Sequence, residues 1–288
     1  MLKGLRRRLT LIIFVAVIAA LFYDSNNRLV TETFTMSDPA LPPAFQGLRI
    51  AVISDMHMAS FGQGNETLFA AVRDTAPDII CVLGDVIDGT YPQDPAAAEA
   101  VKAGERQYIT ELFSGLGAIA PCYFVSGNHD WASGWAREMF SLMEDAGCTV
   151  LRNQYLTLER GGESIILAGV EDPNALRDMK TPEELVREIR QKLGDGYLIM
   201  LSHRNDPPEK WAKLGVSTVL CAHAHGGLIR LPFTDGLIGP GRELLPRYTS
   251  GIYEAEGTKI FVSRGLGGIR FRLLNNPQVA LIELTRED

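Results

Sequence analysis

Apolar residues fall along this chain in three patterns, and each predicts a different kind of element. One run fills positions 9–23, interrupted only by Thr10. Short continuous runs recur at 48–54, 78–83 and 121–126, which is how strands read when both faces of a sheet are covered. Stretches with helical spacing lie between and after them, at 66–75, 96–116 and 133–146. The last of these carries Trp135, Met139, Leu142 and Met143 on one side. This alternation predicts parallel strands joined by crossover helices.

The second half changes rhythm. Strand-like runs at 155–159 and 164–170 flank Gly161-Gly162 and predict a hairpin. Thr181-Pro182-Glu183-Glu184 has the makings of a capping box with proline at the first helical position, and Leu185, Ile189 and Leu193 give the helix after it a buried stripe. Further strands are expected at 197–202, 218–221, 259–263 and 278–284. Helices with parallel strands first, and strands mostly later, predict an α/β fold of two packed mixed β-sheets flanked by helices.

The run at 9–23 is of another kind, because Lys3, Arg6, Arg7 and Arg8 stand ahead of it. At ~1.5 Å per residue a helix of that length spans about 22 Å against a hydrocarbon core of about 30 Å. Flanking arginines and Tyr23 can reach the interface and make up the difference. Ala19-Ala20 offers a cleavage point, but Leu21-Phe22-Tyr23 follows it directly, so an uncleaved signal-anchor is expected over a cleaved signal peptide. The basic flank favours a cytoplasmic N-terminus, with the rest of the chain outside. The expected organisation is an anchor over 1–24, a linker with a short strand near 29–34 over the proline-containing segment 25–46, and one folded domain over 47–288.

Of 288 residues, 46% are apolar and 22% charged, the balance of a packed globular core. The formal net charge of −7 argues against nucleic acid as a partner. It leaves an anionic substrate open, since bound metal ions can dominate a local field. Cys81, Cys122, Cys148 and Cys221 form no Cys-x-x-Cys pair and are expected as small buried hydrophobes, so a cysteine-ligated zinc is disfavoured.

The chain's five histidines all fall at strand ends or in the loops just after them. His57 lies in Ser54-Asp55-Met56-His57, His129 in Gly127-Asn128-His129-Asp130, and His203 after the run ending at Leu201. His223 and His225 lie in Ala222-His223-Ala224-His225-Gly226-Gly227, and Gly84-Asp85-Val86-Ile87-Asp88 follows the second strand. Ligands of open α/β sheets bind outside the carboxyl ends of the strands, where all of these groups are expected. Singly, an Asp or Asn after a strand is a turn residue or cap, and a lone histidine is a hydrogen-bonded core residue. That bland account would have to cover every histidine in the chain at once.

The ordered set Asp55-x-His57, Gly84-Asp85-x-x-Asp88, Gly127-Asn128-His129-Asp130, His203 and His223-x-His225 resembles the calcineurin-like metallophosphoesterase superfamily. Its context is similar to a membrane-anchored bacterial branch, through His225-Gly226-Gly227 with Arg230-Leu231-Pro232, Ser250-Gly251-Ile252-Tyr253 and Val262-Ser263-Arg264-Gly265-Leu266-Gly267. That branch includes phosphodiesterases and enzymes that hydrolyse the pyrophosphate of UDP-2,3-diacylglucosamine. The resemblance implies a four-layer α/β/β/α sandwich and two divalent metal ions (Mn, Fe, Zn or Mg) bridged by Asp85. Asp55, His57 and His225 would complete one site, and Asn128, His203 and His223 the other. It further implies hydrolysis of a phosphoester or pyrophosphate by a water activated between the metals, with His129 as general acid and Asp130 helping to orient it. Asp88 reads as a supporting partner or helix cap, and Arg204 and Arg264 as candidates to grip a phosphate. Two departures are Ala222, where the family usually has glycine, and Leu228, where it often has glutamine. Metal binding is expected to survive the first, and the second bears on the detail of substrate contact and not on the reaction type.

A phosphate-ester substrate, lipid-linked in the first reading, is therefore expected at a membrane surface. The apolar segments 228–233 and 237–240 are candidates to admit an acyl chain. The alternative is a secreted or surface phosphatase for phosphoproteins or small monoesters. An inactive scaffold would be expected to have lost a ligand, and a metallopeptidase would want a glutamate base beside its histidines; neither pattern is present.

Overall fold

The strands expected from the apolar runs assemble into two six-stranded sheets in the computed structural model, which describes residues 2–231, 234–268 and 271–286. The chain starts with helix α1 (Leu2–Asn27) and strand β1 (Val30–Ser37), followed by β2 (Leu48–Ile53), α2 (Glu66–Asp74) and β3 (Ile79–Val82). Helix α3 (Pro95–Gly117), β4 (Cys122–Phe124), α4 (Asn128–Ala132), α5 (Ala136–Asp145) and β5 (Cys148–Val150) complete the first half. The hairpin β6 (Gln154–Arg160) and β7 (Glu163–Gly169) leads to α6 (Pro182–Leu193), β8 (Leu198–Leu201), α7 (Pro208–Ala212) and β9 (Thr218–Cys221). Strands β10 (Gly251–Ala255), β11 (Thr258–Val262) and β12 (Gln278–Thr285) close the fold.

The first sheet has the order β1-β12-β2-β3-β4-β5, parallel throughout except where β12 meets β2. The second has the order β10-β11-β9-β8-β7-β6, with antiparallel pairs only at its two edges. Because strand side chains alternate, each central strand serves two apolar layers. Ile50 and Val52 of β2, with Ile199 and Leu201 of β8, fill the space between the sheets. Ala51 and Ile53 face α2, α3 and α5 instead, while Leu198 and Met200 face α6 and α7. The result is the four-layer sandwich, and burying a residue such as Ile50 contributes roughly 1.5–3 kcal/mol to it. All four cysteines are free and buried, with Cys122 and Cys148 side by side on β4 and β5 at an Sγ–Sγ distance of 3.5 Å.

Three expectations change. Residues 25–46 are not a linker: β1 pairs with β12 from Val30↔Gln278 to Ser37↔Thr285, and Met36, Leu41 and Phe45 are buried in the core between the sheets. The pairing partner lies some 250 positions away, which local pattern cannot announce. The helix expected at 133–146 begins only at Ala136, and a separate short helix, α4, ends just before it, because Gly134 takes a φ of 75° and the Ser133 hydroxyl accepts from Trp135 N (3.2 Å) while donating to the Asp130 carbonyl (2.5 Å). Helix α1 has 26 residues, about 39 Å at its ordinary rise, longer than the apolar run alone. Its polar last turn is extended by Ser25, Asn26 and Asn27, whose side chains donate to the carbonyls four residues back. It is long and apolar enough to cross a membrane, and only 6% of its most apolar stretch is buried, so it is not a core helix.

Candidate metal centre

Parallel strands from both sheets deliver their following loops to one place. Asp55 and His57 come after β2, Asp85 after β3, Asn128 and His129 after β4, His203 after β8, and His223 and His225 after β9. Three groups of donor atoms lie within 4.8 Å of one another: Asp55, His57 and His225; His57, Asp85 and His129; and Asp85, His203 and His223. Of the expected metal donors, Asn128 completes the picture, its Oδ1 3.1 Å from His203 Nε2.

Tight backbone turns do the aiming. Asp55, His57, Asp85, His223 and His225 all have φ between 44° and 67°, a left-handed conformation that non-glycine residues keep only where surrounding structure holds them. This explains how the His223-x-His225 pair divides. An extended strand would turn both rings to one face, but these bent residues send them opposite ways. His223 Nδ1 faces His203 Nε2 at 3.2 Å, and His225 Nε2 faces Asp55 Oδ1 at 3.5 Å. Close backbone approach sets the position of Asp85, since a Cβ on Gly127 would stand 2.1 Å from its Oδ1. Ala222 keeps an ordinary negative φ, so its methyl group introduces no strain there.

Hydrogen bonds fix which atom each ring presents. Nδ1 of His203 donates to the Leu83 carbonyl (2.7 Å), and Nδ1 of His57 donates to Asp88 Oδ1 (3.0 Å), so both turn Nε2 inward. Asp55 Oδ1 and Oδ2, His57 Nε2 and Asp85 Oδ2 are buried and have no hydrogen-bond partner. Buried polar atoms are normally hydrogen-bonded, and these four Lewis bases instead face one another, with His203 Nε2 3.2 Å from Asp85 Oδ2, an arrangement suited to holding cations. The donor set fits divalent ions that take oxygen and imidazole ligands.

Charge is divided unevenly across the cluster. Burial opposes ionisation of Asp85, but the fields of His203, His57 and His129 outweigh it and hold its carboxyl well below the usual range. Asp55 goes the other way, raised chiefly by burial. Burial disfavours a charged His203 too, yet Asp85 and Asp55 lift it to about 10. His223 is pushed down to about 3 by burial, then by His203 and Arg204. His225 is likewise pushed well down by burial and by His57.

The remaining expected residues sort differently. His129 Nδ1 is held by the Asp88 carbonyl at 2.7 Å, and its backbone N donates to Asp85 Oδ1 at 2.8 Å. Asp130 does not orient that ring. Fully buried, it accepts from the backbone N–H groups of Asp85 (2.8 Å), Val86 (2.9 Å) and Gly127 (2.8 Å), and so clamps the two donor loops together. Asp88 lies in a loop and caps no helix; its carboxylate and carbonyl orient His57 and His129. Arg204 borders the centre, with Nη1 2.9 Å from His223 Nε2 and Nε 2.6 Å from Asp172 Oδ2. Arg264 does not point into it: its guanidinium pairs with Glu32 of β1 at 2.5 Å. Of the segments considered for an acyl chain, Pro232 and Phe233 lie outside the described residues. Leu237 and Ile238 are half-buried, and Ile229 bridges to Leu273 at the surface.

Sequence reasoning passed over Glu171 and Asp172, which follow β7 as the other groups follow their strands. Glu171 accepts from Trp131 Nε1 (2.9 Å), Arg152 Nε (3.0 Å) and the Ser126 hydroxyl, bracing the loop that carries Asn128 and His129. Their position just after a strand is the signal both carry, though no histidine stands beside them. Asn275, whose Nδ2 donates to the His225 carbonyl at 2.7 Å, offered no such signal.

Known proteins resemble this chain over much of its length. The family model for calcineurin-like phosphoesterases matches residues 48–227. The uncharacterized metallophosphoesterase YkuE of Bacillus subtilis is 29% identical over 269 residues, covering 91% of this chain and 87% of that one. Phosphodiesterase YaeI of Escherichia coli is 27% identical over 241 residues, covering 82% of each. A transmembrane protein with metallophosphoesterase domain from Danio rerio is 25% identical, covering 98% of this chain and 64% of its own length. Among solved structures, a dimetal phosphatase from Danio rerio superposes with a TM-score of 0.47 at 12% identity, covering 76% of this chain and 88% of that one. With the family match running from the start of β2 to just past the last donor histidine, the chain belongs to the calcineurin-like phosphoesterases, hydrolases that use two divalent metal ions.

Proposed function

We propose that Asp85 is shared by the two cations, with Asp55, His57 and His225 holding one and Asn128, His203 and His223 the other. The observation behind this reading is the set of buried, unpartnered oxygens and nitrogens on Asp55, Asp85 and His57. Bound there, two divalent ions would supply Lewis-acid stabilisation of phosphoryl oxygens and make a water nucleophilic at neutral pH. The protein's own acid is His129. The Asp88 carbonyl takes the hydrogen on its Nδ1, which leaves Nε2 free to hold the proton passed to the departing oxygen. The bond from its backbone N to Asp85 Oδ1 ties that acid to the shared carboxylate, so the two cannot drift apart. Arg204, already aligned by Asp172, is the residue placed to meet a phosphoryl oxygen.

The substrate we favour is a diester or pyrophosphate linked to lipid, hydrolysed at a membrane surface. Helix α1 would anchor the enzyme uncleaved, and Arg6, Arg7 and Arg8 favour a cytoplasmic N-terminus with the sandwich outside. A diester is supported by the relative named as a phosphodiesterase. Side-by-side assay of an alkyl phosphodiester, a nucleoside diphosphate lipid and a phosphopeptide, with metal analysis of the purified full chain, tests both halves. His129→Ala should retain its metals and lose turnover by about 10²–10⁴-fold. Full turnover in that variant would remove His129 from the chemistry, and preference for the phosphopeptide would establish a surface phosphatase instead.

A further inference from the structure

Beside the metal donors lies a cavity of about 410 Å³ whose walls include His57, Asp88, Phe61, Arg272, Asn26 and Asn27. Two of these residues belong to the last turn of α1, the helix long and apolar enough to cross a membrane. That turn is fastened to the wall. Asn26 Nδ2 donates to the Arg272 carbonyl (2.8 Å), and Arg272 N donates back to Asn26 Oδ1 (3.0 Å). Leu274 N donates to Ser25 Oγ (2.8 Å), Asn276 Nδ2 donates to the Asp24 carbonyl (2.9 Å), and the rings of Phe22 and Phe271 meet at 5.3 Å. Ser25 is buried by these contacts. A helix serving only as a tether would need none of them.

The cavity is also charged in a telling way. Arg272 is buried, and its guanidinium donates to the carbonyls of Arg264 (3.1 Å), Gly267 (3.0 Å) and Asn275 (3.4 Å). Among the described residues no carboxylate forms an ion pair with it. Burial disfavours its charge and the field of Asp55, a candidate metal donor, only partly compensates, so an anionic ligand in the cavity would offset the remaining cost. The level of the cavity is set by α1. Tyr23 is exposed and ends the apolar run, and Asn27 stands four residues beyond it, about 6 Å along the axis. Phe271, half exposed beside the same turn, adds apolar surface at the same level.

We propose that the last turn of α1 is a wall of the substrate site: Asn27 and Arg272 receive the polar group that a phosphoester carries beyond its reacting phosphorus, and the ester so held is an anionic amphiphile whose head group lies at the bilayer surface. This rests on the phosphoesterase reading of the metal centre and adds the place and chemical class of the substrate. The membrane helix is then part of the specificity apparatus, and it presents the cavity at the depth where lipid head groups lie.

The test uses the full chain, metal-loaded, in lipid nanodiscs. Two probes are compared: a long-chain alkyl p-nitrophenyl phosphate embedded in the bilayer, and water-soluble bis(p-nitrophenyl) phosphate. Asn27→Trp should lower the ratio of kcat/KM for the embedded probe over the soluble one by about tenfold or more, mainly through KM. A short flexible Gly-Ser insertion between Ala20 and Leu21, ahead of Phe22 and of the carbonyls to which Ser25, Asn26 and Asn27 bond, keeps the docked turn but uncouples it from the bilayer, and should lower the same ratio. Independently of turnover, Asn27→Cys can be labelled with a thiol reagent, because the native cysteines are all buried. A non-hydrolysable long-chain alkyl phosphonate should slow that labelling severalfold. An unchanged ratio together with unprotected labelling overturns the proposal while leaving the metal centre intact. Hydrolysis of neither probe by the parent chain would defeat the phosphoesterase reading and this inference with it.

Discussion

Asp55, His57 and His225 line one side of the metal centre and Asn128, His203 and His223 the other, and the sides differ in charge. The first has a carboxylate of its own, fully buried and without a hydrogen bond on either oxygen. The second has an amide and two imidazoles, and depends on Asp85 for anionic charge. They differ in support as well. His57 is steadied by a side chain, Asp88, which is largely exposed, whereas His203 is steadied by a buried backbone carbonyl of Leu83. In the arrangement proposed, the first side answers a divalent cation with two carboxylates and the second with one that it shares. Affinity follows the number of charged ligands and the rigidity of the site, so the two positions should fill in order, the Asp55 side first.

The comparison can be broken most directly at the shared residue. Asp85→Asn removes the anion common to both sides, and should abolish stoichiometric metal and lower turnover by at least about a thousandfold. Elemental analysis alongside a diester assay reads both, and surviving turnover would defeat the bridging role. Next in size is a pair of variants read by calorimetric metal titration. Asp55→Asn should weaken the tighter site by more than about 100-fold, and His223→Asn should weaken only the looser one. Equal losses at both sites would show that carboxylate count does not rank them.

A smaller effect sharpens the contrast in support. Asp88→Ala removes the acceptor of His57 Nδ1 but leaves the carbonyl that holds His129. It should weaken metal on the Asp55 side by about 10–100-fold and leave the other side's affinity as it was. Smallest is a proton count. His203 is raised from an ordinary value near 6.5 to about 10, so in the metal-free protein it stays protonated between those limits. Its pairing with Asp85 stabilises the metal-free fold fully below pH 6.5, and that contribution fades as pH rises through about 10. A metal takes the neutral ring, so loading at pH 8 should release about one proton on the His203 side. Titration in buffers of different ionisation enthalpy measures it, and His203→Asn should remove it.

Much of this was legible in the chain itself, for identifiable reasons. The strands over β2, β3, β4, β8 and β9 showed as continuous apolar runs because both of their faces are covered, and the groups at their ends proved to be neighbours. The start of α6 was readable for a local reason: the Thr181 hydroxyl accepts from Glu184 N (3.2 Å) and Glu184 accepts from Thr181 N (2.8 Å), a bond pattern contained within four residues. The role given to Asp130 was misplaced because its nearest neighbour in sequence, His129, is not its partner in space. Arg264 was misplaced in the same way, since its partner Glu32 lies on a strand more than two hundred residues away.

By itself, then, the sequence determined which residues could serve as donors, that they follow strands, and that an apolar helix precedes the folded part. Those properties depend on chemistry and period within a few residues. Only the tertiary structure decided how the donors divide. It parted His223 from His225 through left-handed turns, clamped the β3 and β4 loops with one buried carboxylate, and set the end of α1 against the cavity beside His57. Each of these is a contact between segments far apart in the chain, and its energy exists only once the sheets have packed.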